Sequence, residues 1–209
     1  MDRAAPGTRY SERVSDKPQT GPTVRRVGVA NPANVLTVLR LVLVPIFLVA
    51  LFYGGGHLTS ARLVACAVFT VACLTDHFDG RLARDYGMAT EFGAFVDPIA
   101  DKVLIGSALI GLSMLGDLPW WITVVVLIRE IGVTLLRLAV IRRGVIPASW
   151  GGKLKTLTQA VAIGLFVLPL SGIARSVAMV VMAVALVLTV VTGVDYVAGA
   201  VRGFRRSDR

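Results

Sequence analysis

A chain of 209 residues of which 55% are hydrophobic and 17% charged is too apolar for a water-soluble domain, and its mean hydropathy is +0.73. Several apolar runs reach or approach the about 20 residues that cross a bilayer, so the expected class is an all-α integral membrane protein with about six transmembrane helices. The formal net charge of +9 does not point to nucleic acid, because the basic residues are distributed by membrane side and suit anionic lipid heads.

Residues 1–28 are polar, rich in Arg, Ser, Thr, Pro and Gly, and carry no apolar period, which predicts a disordered basic cytoplasmic tail. The first apolar run follows this tail without a small-residue cleavage pattern, so no signal peptide is expected. The membrane domain is then 29–200, and 201–209 is a basic C-terminal tail. The first span begins near Asn31-Pro32-Ala33-Asn34 and continues to about Tyr53. Asn31 or Asn34 can cap its start. Arg40 is harder to explain, since a cation two turns into an apolar helix needs an anion or a polar cavity. Gly54-Gly55-Gly56-His57 reads as a loop with a solvated histidine.

The second span, about Ser60 to Asp79, contains the only cysteines, Cys66 and Cys73, seven apart. About 10 Å of helical rise separates them, too far for a disulfide, and both read as small apolar residues. This span ends in Asp76 and Asp79, and the third, about Gly93 to Leu115, begins with Asp97 and Asp101. Residues three or four apart share a helix face. A connection of about a dozen residues lets the two helices run antiparallel, with both acid pairs facing one cleft. Four converging carboxylates cannot all stay ionised in a semi-apolar cleft without cations. An all-oxygen set suits Mg²⁺ or Mn²⁺, and four carboxylates suffice for two such ions. The plainer alternative is salt bridges from these acids to Arg81, Arg84, Lys102 and Arg129. His77 lies between the acids, and metal ligation by it is the lesser reading.

Pro119-Trp120-Trp121 opens the fourth span, with its tryptophans as an aromatic belt at the opposite face. This span carries Arg129, Glu130 and Arg137. Glu130 and Arg137 share a face and are expected to pair, which leaves Arg129 without an obvious local partner. A fifth span starts after Gly151-Gly152 with Lys153 and Lys155 in its first turn and runs to about Pro169. Cations at a helix N-terminus oppose the macrodipole, so a bound anion is a natural compensation. Arg129, Arg137, Lys153 and Lys155 are therefore candidate ligands for an anion such as a phosphomonoester, with attraction to lipid heads as the alternative for the two lysines. The sixth span is expected over about Val177 to Val197.

Of the 22 Lys and Arg residues, sixteen fall in the tails and in the loops after the second and fourth spans, two (Arg62 and Arg175) on the other side, and four within spans. The positive-inside rule then puts both termini and the acidic cleft in the cytoplasm of a multi-pass protein of the cell membrane.

The frame Asp76-x2-Asp79-Gly80-x2-Ala83-Arg84-x8-Gly93-x3-Asp97-x3-Asp101 resembles, without a gap, the signature of the CDP-alcohol phosphotransferase family. The resemblance covers about residues 31–198. It implies that Asp76, Asp79 and Asp97 are metal ligands and that Asp101 is both a ligand and the catalytic base. It also implies two ions, Mg²⁺ or Mn²⁺, and a CDP-linked donor near Gly80, Arg84, Thr90 and Gly93, where the glycines admit the nucleotide closely. Asn34-Val35-Leu36-Thr37-Val38-Leu39-Arg40 and Gly152-Lys153-Leu154-Lys155-Thr156 look most like the phosphatidylglycerophosphate synthase branch, which adds Asn34 and Thr37 to the donor side. The implied partners are CDP-diacylglycerol, glycerol 3-phosphate and membrane lipids, and a homodimer is what the family suggests. The same chemistry with inositol phosphate, or with phosphatidylglycerol to give cardiolipin, is the alternative within the class. A divalent-cation transporter is the alternative outside it, disfavoured by the absence of a repeat and by acids near one interface.

Overall fold

The structure is a computed structural model that describes residues 32–85, 91–140 and 150–207, with side chains at 35–75, 96, 99–136, 154–199 and 202. The described residues form six α-helices and no strand: α1 (Pro32–Phe52), α2 (Thr59–Asp85), α3 (Glu91–Met114), α4 (Trp120–Val140), α5 (Trp150–Val167) and α6 (Gly172–Ser207). Proline stands at the first position of α1, where its missing N–H costs nothing. A tight turn, Tyr53–Gly56, reverses the chain after α1 through Gly54 and Gly55 at φ 64° and 72°, values that glycine adopts without strain. The end of α3 closes on Gly116, at φ 76°. There the Asp117 amide donates to the Leu112 carbonyl and the Gly116 amide to the Ser113 carbonyl, the paired bonds of a Schellman cap.

α1 packs on α2 and α3, α5 on α6, α2 and α3, and α4 on α6 and α3. The core between them is apolar and closely fitted. Phe47 and Phe69 meet at 5.6 Å between ring centroids, and Leu104, Leu109, Leu112, Ile163, Phe166 and Met182 are buried around them. Gly111 lets α1 and α3 approach, since a Cβ there would lie 2.8 Å from Leu51 Cδ2.

The outward faces are apolar as well. On α1 the buried series Val44, Phe47, Leu51 is matched by an exposed series Val35, Val38, Val42, Ile46, Val49, and α6 exposes Val177, Val180, Val184, Val187, Val191 and Val194. A helix apolar all round needs protein on one side and lipid on the other. Val35–Gly56 and Gly172–Gly199 are long and apolar enough to cross a membrane, and Thr59–Thr75 and Leu154–Val167 are shorter apolar stretches. Two helices continue past their expected ends. α2 carries on through both acids to Asp85, and α6 reaches Ser207 rather than Val197. At 1.5 Å per residue α6 is about 54 Å long, well beyond a hydrocarbon core of about 30 Å.

One end of the bundle gathers the turn after α1, the start of α2, the α3–α4 connection and the start of α6. Arg62 forms an ion pair with Asp117 and donates from Nε to the Gly56 carbonyl at 2.7 Å. Arg175 donates to the Asp117 carbonyl at 2.5 Å and lies over the Phe166 ring, 4.3 Å from its centroid. These are the two cations that charge counting separated from the other sixteen. His57 is exposed, as expected. Cys66 and Cys73 are half-buried and form no disulfide.

Candidate active site

The helices fix the register of the acids before any side chain is considered. Asp76 and Asp79 lie in α2 and Asp97 and Asp101 in α3, so both pairs have the helical spacing that puts their members on one face. The side chains of Asp76, Asp79, Asp97 and Arg84, with Gly80 and Gly93, lie outside the described residues, as do Thr90 altogether and the side chains of Asn34, Arg137 and Lys153. Asp101, Thr37, Arg129 and Lys155 are described. Thr37 and Arg40 are both buried inside the α1 contact with the bundle, Arg40 completely.

Asp101 lines a cavity of about 260 Å³ between α3, α4 and α5, together with Lys102, Glu130, Lys155, Thr156 and Gln159. This is smaller than the about 300–1,000 Å³ of pockets that enclose drug-sized ligands, and suits a small polar solute. A larger hollow of about 540 Å³ lies between α1 and α2, lined by Pro45, Ile46, Val49, Tyr53, Leu58 and Val64. Its walls are mostly apolar and carry no charged side chain, so size is a poor guide to the site here.

Glu130 is the hub of the smaller cavity. Lys155 forms an ion pair with it, Arg129 Nη1 donates to its Oε1 at 3.1 Å, and Lys102 Nζ lies 3.5 Å from its Oε2. These described partners of Glu130 come from three helices, while the expected pairing with Arg137 falls on a side chain outside the described residues. Arg129, expected to lack a local partner, also donates from Nε to the Thr189 carbonyl at 3.0 Å and from Nη2 to Thr192 Oγ1 at 2.7 Å. Gly193 leaves room for it, because a Cβ there would stand 3.0 Å from Arg129 Cγ. The guanidinium thus ties α4 to α6 and keeps only part of its donor fork for a ligand. Lys155 is 4% exposed and sits against Glu130, so any ligand that uses it must share it. Among the described residues, three cations around Glu130 exceed the two carboxylates that border the cavity, which favours an anion inside it.

Lys102, Thr156 and Gln159 belong to this cavity and were not among the candidates read from the sequence. The signal for Gln159 was its spacing: it follows Lys155 by four residues, on the same face of an apolar helix. Lys102 was weighed only as a counter-ion, and it does pair, but with Glu130.

The family model for CDP-alcohol phosphatidyltransferases matches residues 30–191. A protein of Mycobacterium tuberculosis (strain H37Rv) described as a probable phosphatidylglycerophosphate synthase is 74% identical over 195 residues, 93% of each chain. A Bacillus subtilis (strain 168) protein named CDP-diacylglycerol--glycerol-3-phosphate 3-phosphatidyltransferase is 35% identical over 179 residues, 79% of this chain and 93% of its own. An Escherichia coli (strain K12) protein of the same name is 40% identical over 139 residues, 64% of this chain and 74% of its own. With its aspartate frame divided between α2 and α3 and the family match running from α1 into α6, the chain belongs to the CDP-alcohol phosphatidyltransferase family.

Proposed function

We propose that this protein is a membrane transferase that moves a phosphatidyl group from CDP-diacylglycerol to glycerol 3-phosphate, giving phosphatidylglycerophosphate and CMP. The observation that carries the reading is the cavity that Asp101 borders beside Glu130: among the described residues three cations gather on Glu130 there, which supports a phosphorylated acceptor. The names of the relatives support the same acceptor.

Asp76, Asp79, Asp97 and Asp101 form an all-oxygen donor set in helical register, which fits hard divalent ions and not soft ones. When bound there, two Mg²⁺ or Mn²⁺ ions supply Lewis-acid stabilisation of charge on the transferred phosphoryl group. The protein's own residues do the rest. Asn34, Thr37, Gly80, Arg84, Thr90 and Gly93 hold the CDP-linked donor, and Lys153, Lys155, Arg129 and Arg137 draw in the acceptor phosphate. Asp101 accepts the proton of the attacking hydroxyl as its oxygen bonds to the phosphorus carrying the diacylglycerol. The bond from that phosphorus to CMP breaks, and CMP leaves with the electron pair.

The six helices all cross the membrane, with both termini cytoplasmic. The gathering of Arg62, Asp117 and Arg175 at the end away from Asp101 and Lys155 supports this arrangement. Cysteines at Ser11 and Ser207, in a variant with Cys66 and Cys73 replaced by alanine, should resist an impermeant thiol reagent in intact cells. Labelling of either overturns the orientation. The deciding experiment for function is purified protein with labelled CDP-diacylglycerol and a panel of alcohols. Phosphatidylglycerophosphate is the expected product, and efficient use of plain glycerol, inositol phosphate or phosphatidylglycerol sinks the acceptor assignment.

A further inference from the structure

Gln159 is the unexplained polar group of the cavity. Its residue is 4% exposed, and its side-chain oxygen has no hydrogen-bond partner among the described residues. A buried amide oxygen left without a donor is costly, so a position that keeps one calls for a ligand that supplies the donor. The residue borders the same space as Asp101, Lys155 and Glu130, and Lys155 lies one helical turn away on the same face of α5. The oxygen itself is shielded, but the last torsion of a glutamine is soft and roughly two-fold, so rotation about it can present the oxygen to a ligand in the cavity.

The chemistry limits what that ligand group can be. An amide oxygen accepts and does not donate, so it repels phosphate oxygens and selects a hydroxyl. On the acceptor proposed above, one hydroxyl attacks and is claimed by Asp101, and the phosphate is claimed by the cations. The central hydroxyl is left. We propose that Gln159 accepts a hydrogen bond from the central hydroxyl of the acceptor and selects for a vicinal diol phosphate over a simple hydroxyalkyl phosphate. This rests on the acceptor reading and goes one residue beyond it.

The test compares glycerol 3-phosphate with 3-hydroxypropyl phosphate, which lacks only the central hydroxyl. Wild-type enzyme should prefer the former by about tenfold or more in kcat/KM, the cost of leaving one buried acceptor unpaired. Gln159→Met keeps the volume and removes the acceptor, so the preference should shrink to within about twofold while the KM for CDP-diacylglycerol stays put. Thermal unfolding in detergent gives a readout apart from turnover. Without substrate, Gln159→Met should melt at or above the wild type, because a buried unpaired oxygen is gone, and glycerol 3-phosphate should raise its melting point less than that of the wild type. Equal use of the two acceptors by wild type, or an undiminished preference in a folded Gln159→Met, overturns the role of Gln159 alone. Failure of wild type to release CMP with either acceptor overturns the acceptor reading and this proposal with it.

Discussion

Two clusters of charge sit at opposite ends of this bundle, and each sets cations around one acid. At the first, Arg62 and Arg175 share Asp117 and spend further donors on the Gly56 and Asp117 carbonyls. At the second, Lys102, Arg129 and Lys155 share Glu130. The difference lies in what surrounds them. The Asp117 cluster ties loops and helix starts together, and none of its members lines either hollow, although Arg62 Nη1 has no acceptor among the described residues. The Glu130 cluster opens on a cavity bordered by Asp101 and by Gln159, whose side-chain oxygen has no partner among the described residues. Ion pairs alone therefore do not mark a site. A cation surplus, a cavity and an unmet acceptor together do.

The largest effect expected falls on the acid frame, of which Asp101 borders the second cluster's cavity. Asp76→Asn, Asp79→Asn or Asp97→Asn should each lower CMP release by about a thousandfold or more, several kcal/mol of transition-state stabilisation. An excess of chelator should stop wild-type turnover, and added Mg²⁺ or Mn²⁺ should restore it. Near-normal turnover in these folded variants, or full activity in chelator, breaks the metal reading.

Next comes the structural cluster. Asp117→Ala leaves Arg62, 5% exposed, without its carboxylate, and stranding a buried charge costs about 3–5 kcal/mol. The apparent melting point in detergent should fall by several degrees, while kcat and both KM values of the protein still folded stay as they were. A selective rise in the KM for glycerol 3-phosphate would place this end in the reaction and erase the contrast.

Lys155→Ala reverses that pattern. Removing one charge-assisted contact should cost about 1.5–3 kcal/mol, roughly ten- to a hundredfold in the KM for the phosphorylated acceptor and much less in that for CDP-diacylglycerol. Lys153→Ala should behave alike. Equal loss for both substrates would show that Lys155 only balances Glu130, as its ion pair permits.

How far the sequence reached can be judged from the same residues. The helices were legible because apolar runs of near-bilayer length leave little choice of structure. The aspartate frame was legible because all its members lie within 26 residues, so spacing alone fixes their helical register. The partners of Glu130 were not legible. Lys155 reaches the carboxylate from α5 and Lys102 approaches it from α3, contacts that tertiary packing makes and local spacing does not encode. Arg129 finds Thr189 and Thr192 about sixty residues away, a pairing that local pattern does not encode. The side chains of Asp76, Asp79 and Asp97 lie outside the described residues, so distances define the Glu130 cavity and not the aspartate frame.

The smallest effect expected concerns that long-range anchor. Arg129 runs along α6 where Gly193 has no side chain, and a Cβ at that position would lie 3.0 Å from Arg129 Cγ and 3.3 Å from Nε. Both distances are tight for carbon against its neighbours, and the guanidinium is held on the far side by the Thr189 carbonyl and Thr192 hydroxyl. Gly193→Ala therefore forces Arg129 to give by a few tenths of an ångström, at about 1 kcal/mol for overpacking a fitted contact. The helix itself gains from the alanine, by roughly 0.5–1 kcal/mol, so net stability should hardly change. What moves is the Nη1 group that meets Glu130 at 3.1 Å, and with it the charge balance felt by Lys155. The KM for glycerol 3-phosphate should rise about two- to fivefold with melting point and CDP-diacylglycerol KM unchanged. Gly193→Ser would add a hydroxyl able to compete for the guanidinium and should do the same more strongly. If Gly193→Ala leaves acceptor KM untouched while Lys155→Ala raises it, Arg129 is a strut between α4 and α6 and the acceptor is held by the lysines alone.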